Sequence, residues 1–212
     1  MKKRILLALL VLTLAAGGAF AQMSAGFGVS LPASWDQYNI SGGEFIVGET
    51  LITTTGFGLF VFFDATYVEA DIGLSLGSLR GRYNSQLEER QGPSVDILTL
   101  SLYGKYPISM TGFTLFPMLG IQYDIGLRIE QNGNKLEDKY LADYLNRFWI
   151  KFGVGFDFNL SDKMYLRPSI LYGINFGTKD LTDYLKSATD AGYTVTNFYS
   201  GLDIRVALGF RF

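Results

Sequence analysis

Nucleophilic, acid–base and metal chemistry start from His, Cys or clustered carboxylates, and this chain offers only the last. Its 212 residues include no His and no Cys. Ser/His/Asp and Cys/His arrangements are therefore impossible, as are zinc sites built on nitrogen or sulfur ligands. Two carboxylates can still suffice, as in glycoside hydrolysis. Glu69/Asp71 and Glu88/Glu89 are the candidates. Glu69 and Asp71 are two residues apart, on one face of a strand, where ion pairing is the commoner role. Glu88 and Glu89 fall in a charged segment and read as solvated. The Gly-x-Gly pairs Gly26/Gly28, Gly56/Gly58 and Gly153/Gly155 lead to no third Gly before a helix, so they do not form a dinucleotide site. No enzyme, cofactor or metal site is expected.

The elements that carry these residues are strands. Val68, Ala70, Ile72, Leu74 and Leu76 alternate with Glu69, Asp71, Gly73, Ser75 and Gly77. Leu202, Ile204, Val206, Leu208, Phe210 and Phe212 alternate with Asp203, Arg205, Ala207, Gly209 and Arg211. A period of two over ten residues is a strand pattern, because a helix stripe needs spacings of three and four. The same alternation recurs from Ala25, Leu98, Leu115, Phe148 and Leu166, and Phe57 to Phe63 is apolar on both faces. These make eight strands. Short connections fall at 64–66, 109–111 and 159–163, and long ones at 32–54, 78–94, 131–147 and 177–196. Leu141-Ala142-Asp143-Tyr144-Leu145 in the third long loop echoes Leu181-Thr182-Asp183-Tyr184-Leu185 in the fourth, which suggests short loop helices. The expected fold is all-β, an eight-stranded antiparallel up-and-down transmembrane β-barrel with four long extracellular loops.

The N-terminus reads as an export signal. Lys2, Lys3 and Arg4 precede an apolar stretch from Ile5 to Ala16, and Ala19-Phe20-Ala21 is a small-x-small cleavage site. The expected division is residues 1–21 as signal peptide and 22–212 as barrel domain. The apolar stretch is too short for a membrane-spanning helix, which takes about 20 residues. Removing these three basic residues from 18 leaves 15 against 20 acidic residues, a net charge of −5. That balance has no basic excess to attract nucleic acid. Without Cys there is neither a lipid-modified N-terminus nor a disulfide framework to stabilise an exported chain.

Which face meets lipid follows from three features. The polar face is rich in Gly, including Gly26, Gly28, Gly73, Gly120, Gly153, Gly155, Gly173 and Gly209, as a narrow, side-chain-filled interior requires. Aromatics gather toward strand ends: Phe63, Tyr67, Tyr106, Phe113, Phe158, Tyr165, Phe210 and Phe212 on the turn side, Phe148, Phe176, Phe198 and Tyr199 on the loop side. The chain also ends on an aromatic strand. If the charged face met lipid instead, Arg128, Lys151, Arg167 and Arg205 would each cost about 2–4 kcal/mol near the midplane. The expected luminal charge network is Glu69, Asp71, Lys105, Asp124, Arg128, Lys151, Asp157, Arg167, Asp203 and Arg205, with both signs in equal number. The opposite orientation, apolar side inward, would make a soluble lipocalin-like carrier.

The last strand carries a resemblance. Arg205-Val206-Ala207-Leu208-Gly209-Phe210-Arg211-Phe212 resembles the C-terminal signal by which bacterial outer-membrane proteins are recognised for insertion. That pattern has a polar residue, Gly two positions on, and two terminal aromatics separated by one residue. Arg205, Phe210 and Phe212 match, and Ala207 stands in place of the Gly. The chain from Gln22 to Phe212 is similar to the small outer-membrane barrels of diderm bacteria, the OmpA-like, OmpX-like and OmpW-like domains. The resemblance implies the outer-membrane bilayer and the barrel-insertion machinery as partners. Its enzymatic members rely on a His base, which is missing here. Two functions stay open. One is a non-enzymatic structural or surface-interaction role through loops bearing Trp35, Tyr38, Arg80, Arg82, Tyr83 and Tyr140. The other is a narrow channel for small, hydrophobic solutes, lined by Phe60, Phe62, Phe116, Met118, Trp149 and Leu171. Eight strands leave too little bore for a general porin.

Overall fold

A computed structural model describes residues 23–42, 45–83, 90–131, 134–135, 145–175 and 194–212. The strands are β1 (Ser24–Gly42), β2 (Phe45–Ala65), β3 (Val68–Tyr83), β4 (Arg90–Lys105), β5 (Ile108–Met110), β6 (Phe113–Gln131), β7 (Asn134–Lys135), β8 (Arg147–Asn159), β9 (Met164–Asn175) and β10 (Thr194–Arg211). Eight long antiparallel strands close into a ring in the order β1-β2-β3-β4-β6-β8-β9-β10, with β10 returning to β1. Closure leaves no sheet edge, so every strand of the ring finds a hydrogen-bonding partner on both sides. A membrane offers no water to replace such partners.

The tight turns follow from local chemistry. Thr66 and Tyr67 link β2 to β3, with Thr66 at φ 57°. Thr111 and Gly112 link β5 to β6, and Gly112 at φ +90° occupies a conformation that suits residues without a Cβ. Between β8 and β9, the backbone N–H groups of Leu160 and Ser161 both donate to the Met164 carbonyl. Pro107 has no N–H and falls where β4 breaks from β5.

The long connections are shorter than the sequence suggests. Residues 32–42 and 45–54 continue β1 and β2, 78–83 continue β3, and 90–94 begin β4. The ladder between β1 and β2 persists from Ser24↔Asp64 to Gly42↔Phe45. Backbone pairing does not need the apolar alternation that marks the membrane-facing part. Polar residues above that part therefore keep the strand while losing its pattern. Trp35, Tyr38, Arg80, Arg82 and Tyr83 are thus strand residues rather than loop residues.

The apolar rows face outward. Leu119 is 62% exposed and Leu59 59%, whereas Phe62, on the other face of β2, is 4% exposed. The charged rows are buried instead: Glu69, Lys105, Asp124, Lys151, Arg167 and Arg205 all point inside, among aromatic residues. This is the inverse of a soluble carrier and overturns the lipocalin-like reading. Tyr165 and Tyr199 also correct the expected aromatic girdles, because both are buried in the lumen. Phe63, Tyr67, Tyr106, Phe158, Phe148, Phe198 and Phe212 are exposed as expected, and Phe176 lies outside the described residues.

Candidate functional site

The lumen is packed in layers, and each layer begins with a pairing of large and small residues across neighbouring strands. Directly opposite partners in the ladder include Phe62↔Gly26, Phe60↔Gly28, Tyr103↔Gly120, Phe116↔Gly155 and Tyr165↔Gly209. The rings lie across the space a Cβ would take. A Cβ on Gly155 would stand 2.3 Å from the Phe116 ring, and one on Gly209 would stand 2.1 Å from that of Tyr165. The glycines let rings lie flat, so these buried aromatics fit inside a narrow bore and form faces on which cations stack.

The layer nearest the turns and both described chain ends is centred on Arg167. Its Nε and Nη2 donate to the two oxygens of Asp157 at 2.6 and 2.7 Å. Nη2 also donates to Asp64 at 2.7 Å, and Nη1 donates to Glu69. Strand β9 stands four places round the eight-strand ring from β3, so this guanidinium bridges opposite walls. Its central carbon lies 5.0 Å from the Phe62 ring centre and 4.8 Å from those of Phe116 and Tyr165. Lys105 pairs with Asp64, approaches Glu69 at 3.6 Å, and sits 4.6 Å from the Phe116 ring centre. The Tyr165 hydroxyl shares a 2.7 Å hydrogen bond with Ser24. Buried charges are tolerated only when paired and hydrogen-bonded, and Arg167 meets three carboxylates with a rigid planar fork.

Above it, Arg205 donates to Asp71 at 2.7 Å while stacking 3.8 Å from the Phe60 ring centre. Lys151 donates to Asp203 at 3.4 Å. Asp124 accepts from Gln122 at 2.6 Å and from the Trp149 indole at 2.7 Å. A second strut crosses higher up: Arg147 on β8 donates to Ser34 at 3.1 Å and pairs with Asp36 at 3.0 Å, both on β1. Between the struts lies a cavity of about 70 Å³, bordered by Asp71, Asp124, Asp203, Arg147, Lys151 and Arg205. That is room for a few water molecules at roughly 10–15 Å³ each. Toward the long connections an apolar cluster of Leu79, Val95, Ile129 and Leu145 fills one side of the mouth, with Ile52 and Ile97 against it.

Nine of the ten charged residues singled out in the sequence point into this lumen. Arg128 does not. A bulge between Asp96 and Ile97 advances β6 by an extra residue, pairing Asp96 with Arg128 and Ile97 with Gly126. The parity of β6 flips there, so Ile129 turns inward and Arg128 outward. Its half-exposed side chain pairs with Asp96 at 2.7 Å and Glu130 at 3.0 Å. Three luminal groups escaped the sequence reading: Asp36, Asp64 and Arg147. All three fell in segments read as turn or loop, although each shares parity with inward neighbours on its strand. The six apolar residues proposed to line a channel are all buried inside, among the charged layers. Of the insertion-signal residues, Arg205 is buried, Phe210 half-buried and Phe212 exposed. Ala19, Ala21, Glu88, Glu89, Tyr140 and both repeated loop segments lie outside the described residues, apart from Leu145. Among the described residues, no group of three His, Cys, Asp or Glu side chains is arranged to hold a metal.

Comparison with known proteins places this architecture. The family model for the outer membrane protein beta-barrel domain matches residues 6–212. Among solved structures, OprG from Pseudomonas aeruginosa is similar at 12% identity and a TM-score of 0.50, covering 90% of this chain and 95% of that one. Neisserial surface protein A matches at 8% identity and a TM-score of 0.45, covering 87% of this chain and 97% of that one. A major outer membrane protein from Thermus thermophilus matches at 14% identity and a TM-score of 0.41, covering 88% of this chain and 99% of that one. No curated protein matches the sequence.

Proposed function

Because the chain belongs to the family of outer membrane protein β-barrel domains, we propose that it is a plugged, non-enzymatic barrel that displays its long connections outside the cell. The observation that carries this reading is the Arg167 strut. A guanidinium held by Asp64, Glu69 and Asp157 and faced by three rings stands across the bore. Ion passage would require breaking several desolvated ion pairs together, and removing one partner of such a pair costs about 3–5 kcal/mol. The barrel then serves as a rigid scaffold, and binding resides in the segments it presents.

Planar-bilayer recording and liposome swelling on refolded protein test the plug. No steady conductance and no solute uptake are expected. Sustained uptake of small hydrophobic solutes would favour the narrow-channel alternative, lined by Phe60, Phe62, Phe116, Met118, Trp149 and Leu171.

Two further assignments belong to this reading. Residues 1–21 act as an export signal cleaved after Ala21, so protein extracted from membranes should begin at Gln22 by intact mass. Arg205, Phe210 and Phe212 present the terminal strand to the insertion machinery. Both chain ends and the tight turns then face the periplasm, and the far ends of β3 and β6 face outward.

A further inference from the structure

We infer that the outer end of β3 forms a docking site for the phosphate-bearing headgroup of an outer-leaflet lipid, with Arg80 and Arg82 as its cationic groups. The inference rests on the proposed orientation, with the tight turns in the periplasm. On β3 the outward row runs Ala70, Ile72, Leu74, Leu76, Ser78, Arg80, Arg82. Ile72, Leu74 and Leu76 are 45–55% exposed, and Arg80 and Arg82 are exposed in the same row. The two arginines thus continue a lipid-facing stripe.

Their height follows from strand geometry. A strand rises about 3.3 Å per residue, and at a tilt of about 40° it advances about 2.5 Å along the membrane normal. Tyr67, 48% exposed beside the β2–β3 turn, marks the inner interface. An apolar band about 25 Å tall then ends about ten residues on, near Gly77. Arg80 stands about 7 Å and Arg82 about 12 Å beyond it. The headgroup layer is about 5–8 Å thick, so Arg80 lies within it and Arg82 can reach back toward it.

Nothing described neutralises them. Among the described residues neither arginine has an ion pair. Their register partners are Thr53 and Gln91 for Arg80 and Leu51 for Arg82. Arg128 differs, because Asp96 and Glu130 already take its charge. Where the row passes from Leu76 to Ser78, the outer surface opens into a shallow cleft of about 370 Å³. Thr55, Ser78 and Ser94 line it with hydroxyls, together with Leu76, Gly77 and the Asp96–Arg128 ion pair, and Arg80 and Arg82 follow it two and four residues beyond Ser78 on β3. Elsewhere the rim is aromatic, as at Phe148 and at Phe198 opposite Gln37. An anionic headgroup whose acyl chains lie along the apolar row matches this combination. Arginine suits phosphate because its fork donates in pairs.

The test is binding of diphosphoryl lipid A to the full chain refolded in detergent, read by thermophoresis, with dephosphorylated lipid and inorganic phosphate as the other arms. R80A/R82A should weaken binding of the phosphorylated lipid about thirtyfold, the change equivalent to about 1 kcal/mol per arginine. R80K/R82K should retain most of it, and K163A, exposed at the β8–β9 turn on the opposite end of the barrel, should leave it unchanged. A change under about threefold in R80A/R82A, or equal binding of dephosphorylated lipid, overturns the proposal. Binding of inorganic phosphate at the same affinity overturns it too, since the site would then recognise the free anion. If R80A/R82A fails to fold, the comparison of R80Q/R82Q with R80K/R82K decides the same question. Failure of the native chain to insert into bilayers would instead count against the barrel reading.

Discussion

Replacing Arg167 by Met keeps an aliphatic stem and removes the charged fork together with its stacking on Phe62, Phe116 and Tyr165. Three carboxylates with side chains 3–11% exposed, Asp64, Glu69 and Asp157, would lose their shared partner, and Lys105 would remain for Asp64 and Glu69 alone. Breaking a buried ion pair from one side costs about 3–5 kcal/mol, and here the lost fork serves three acceptors. R167M should therefore destabilise the barrel by at least about 3 kcal/mol. R167K keeps the charge but loses the bidentate geometry toward Asp157, so its loss should be smaller. The assay is urea unfolding in lipid vesicles followed by Trp fluorescence, since Trp149 reports from the lumen and the chain has only 2 Trp. Adding D157N should recover part of the loss, with a coupling of about 1–3 kcal/mol for groups in direct contact. A loss below about 1 kcal/mol in R167M, with no coupling to D157N, would refute the strut, and with it the physical basis for a closed lumen.

Gly155→Ala should destabilise by about 1–3 kcal/mol, because its Cβ would meet the Phe116 ring at 2.3 Å. F116L should relieve most of that loss, and an unchanged deficit in the double variant would contradict the ring-over-glycine packing. Ile121, 45% exposed in the middle of β6, faces lipid. I121R should cost about 2–4 kcal/mol in vesicle unfolding, and a neutral result would argue against a membrane-facing β6. Phe212→Ala should slow assembly in cells while leaving refolding in detergent unaffected, as a recognition signal requires. Equal slowing in both would reduce Phe212 to packing.

Period-two alternation identified seven of the eight strands, and the Gly-rich polar face, the aromatics near strand ends and the cost of charge in lipid assigned their inward and outward sides. The reason is physical: a strand in a ring has one face on lipid and one on the lumen, and the residue type at each position reports which. Nine inward charges were legible on that basis, as were the glycines opposite the luminal rings. Tertiary structure decided what alternation does not encode. Arg167 meets Glu69 and Asp64 across 98 and 103 residues of sequence, and only closure of the ring sets that partnership. Asp36 and Arg147 form the upper strut from segments where the outward row has left the lipid and so lost its apolar signature. The bulge opposite Asp96 adds one residue to β6 and turns Arg128 out of the lumen. The absence of His and Cys bounded the chemistry from composition alone. Whether the bore is open depended on which side chains meet across it, and that is a property of the closed barrel.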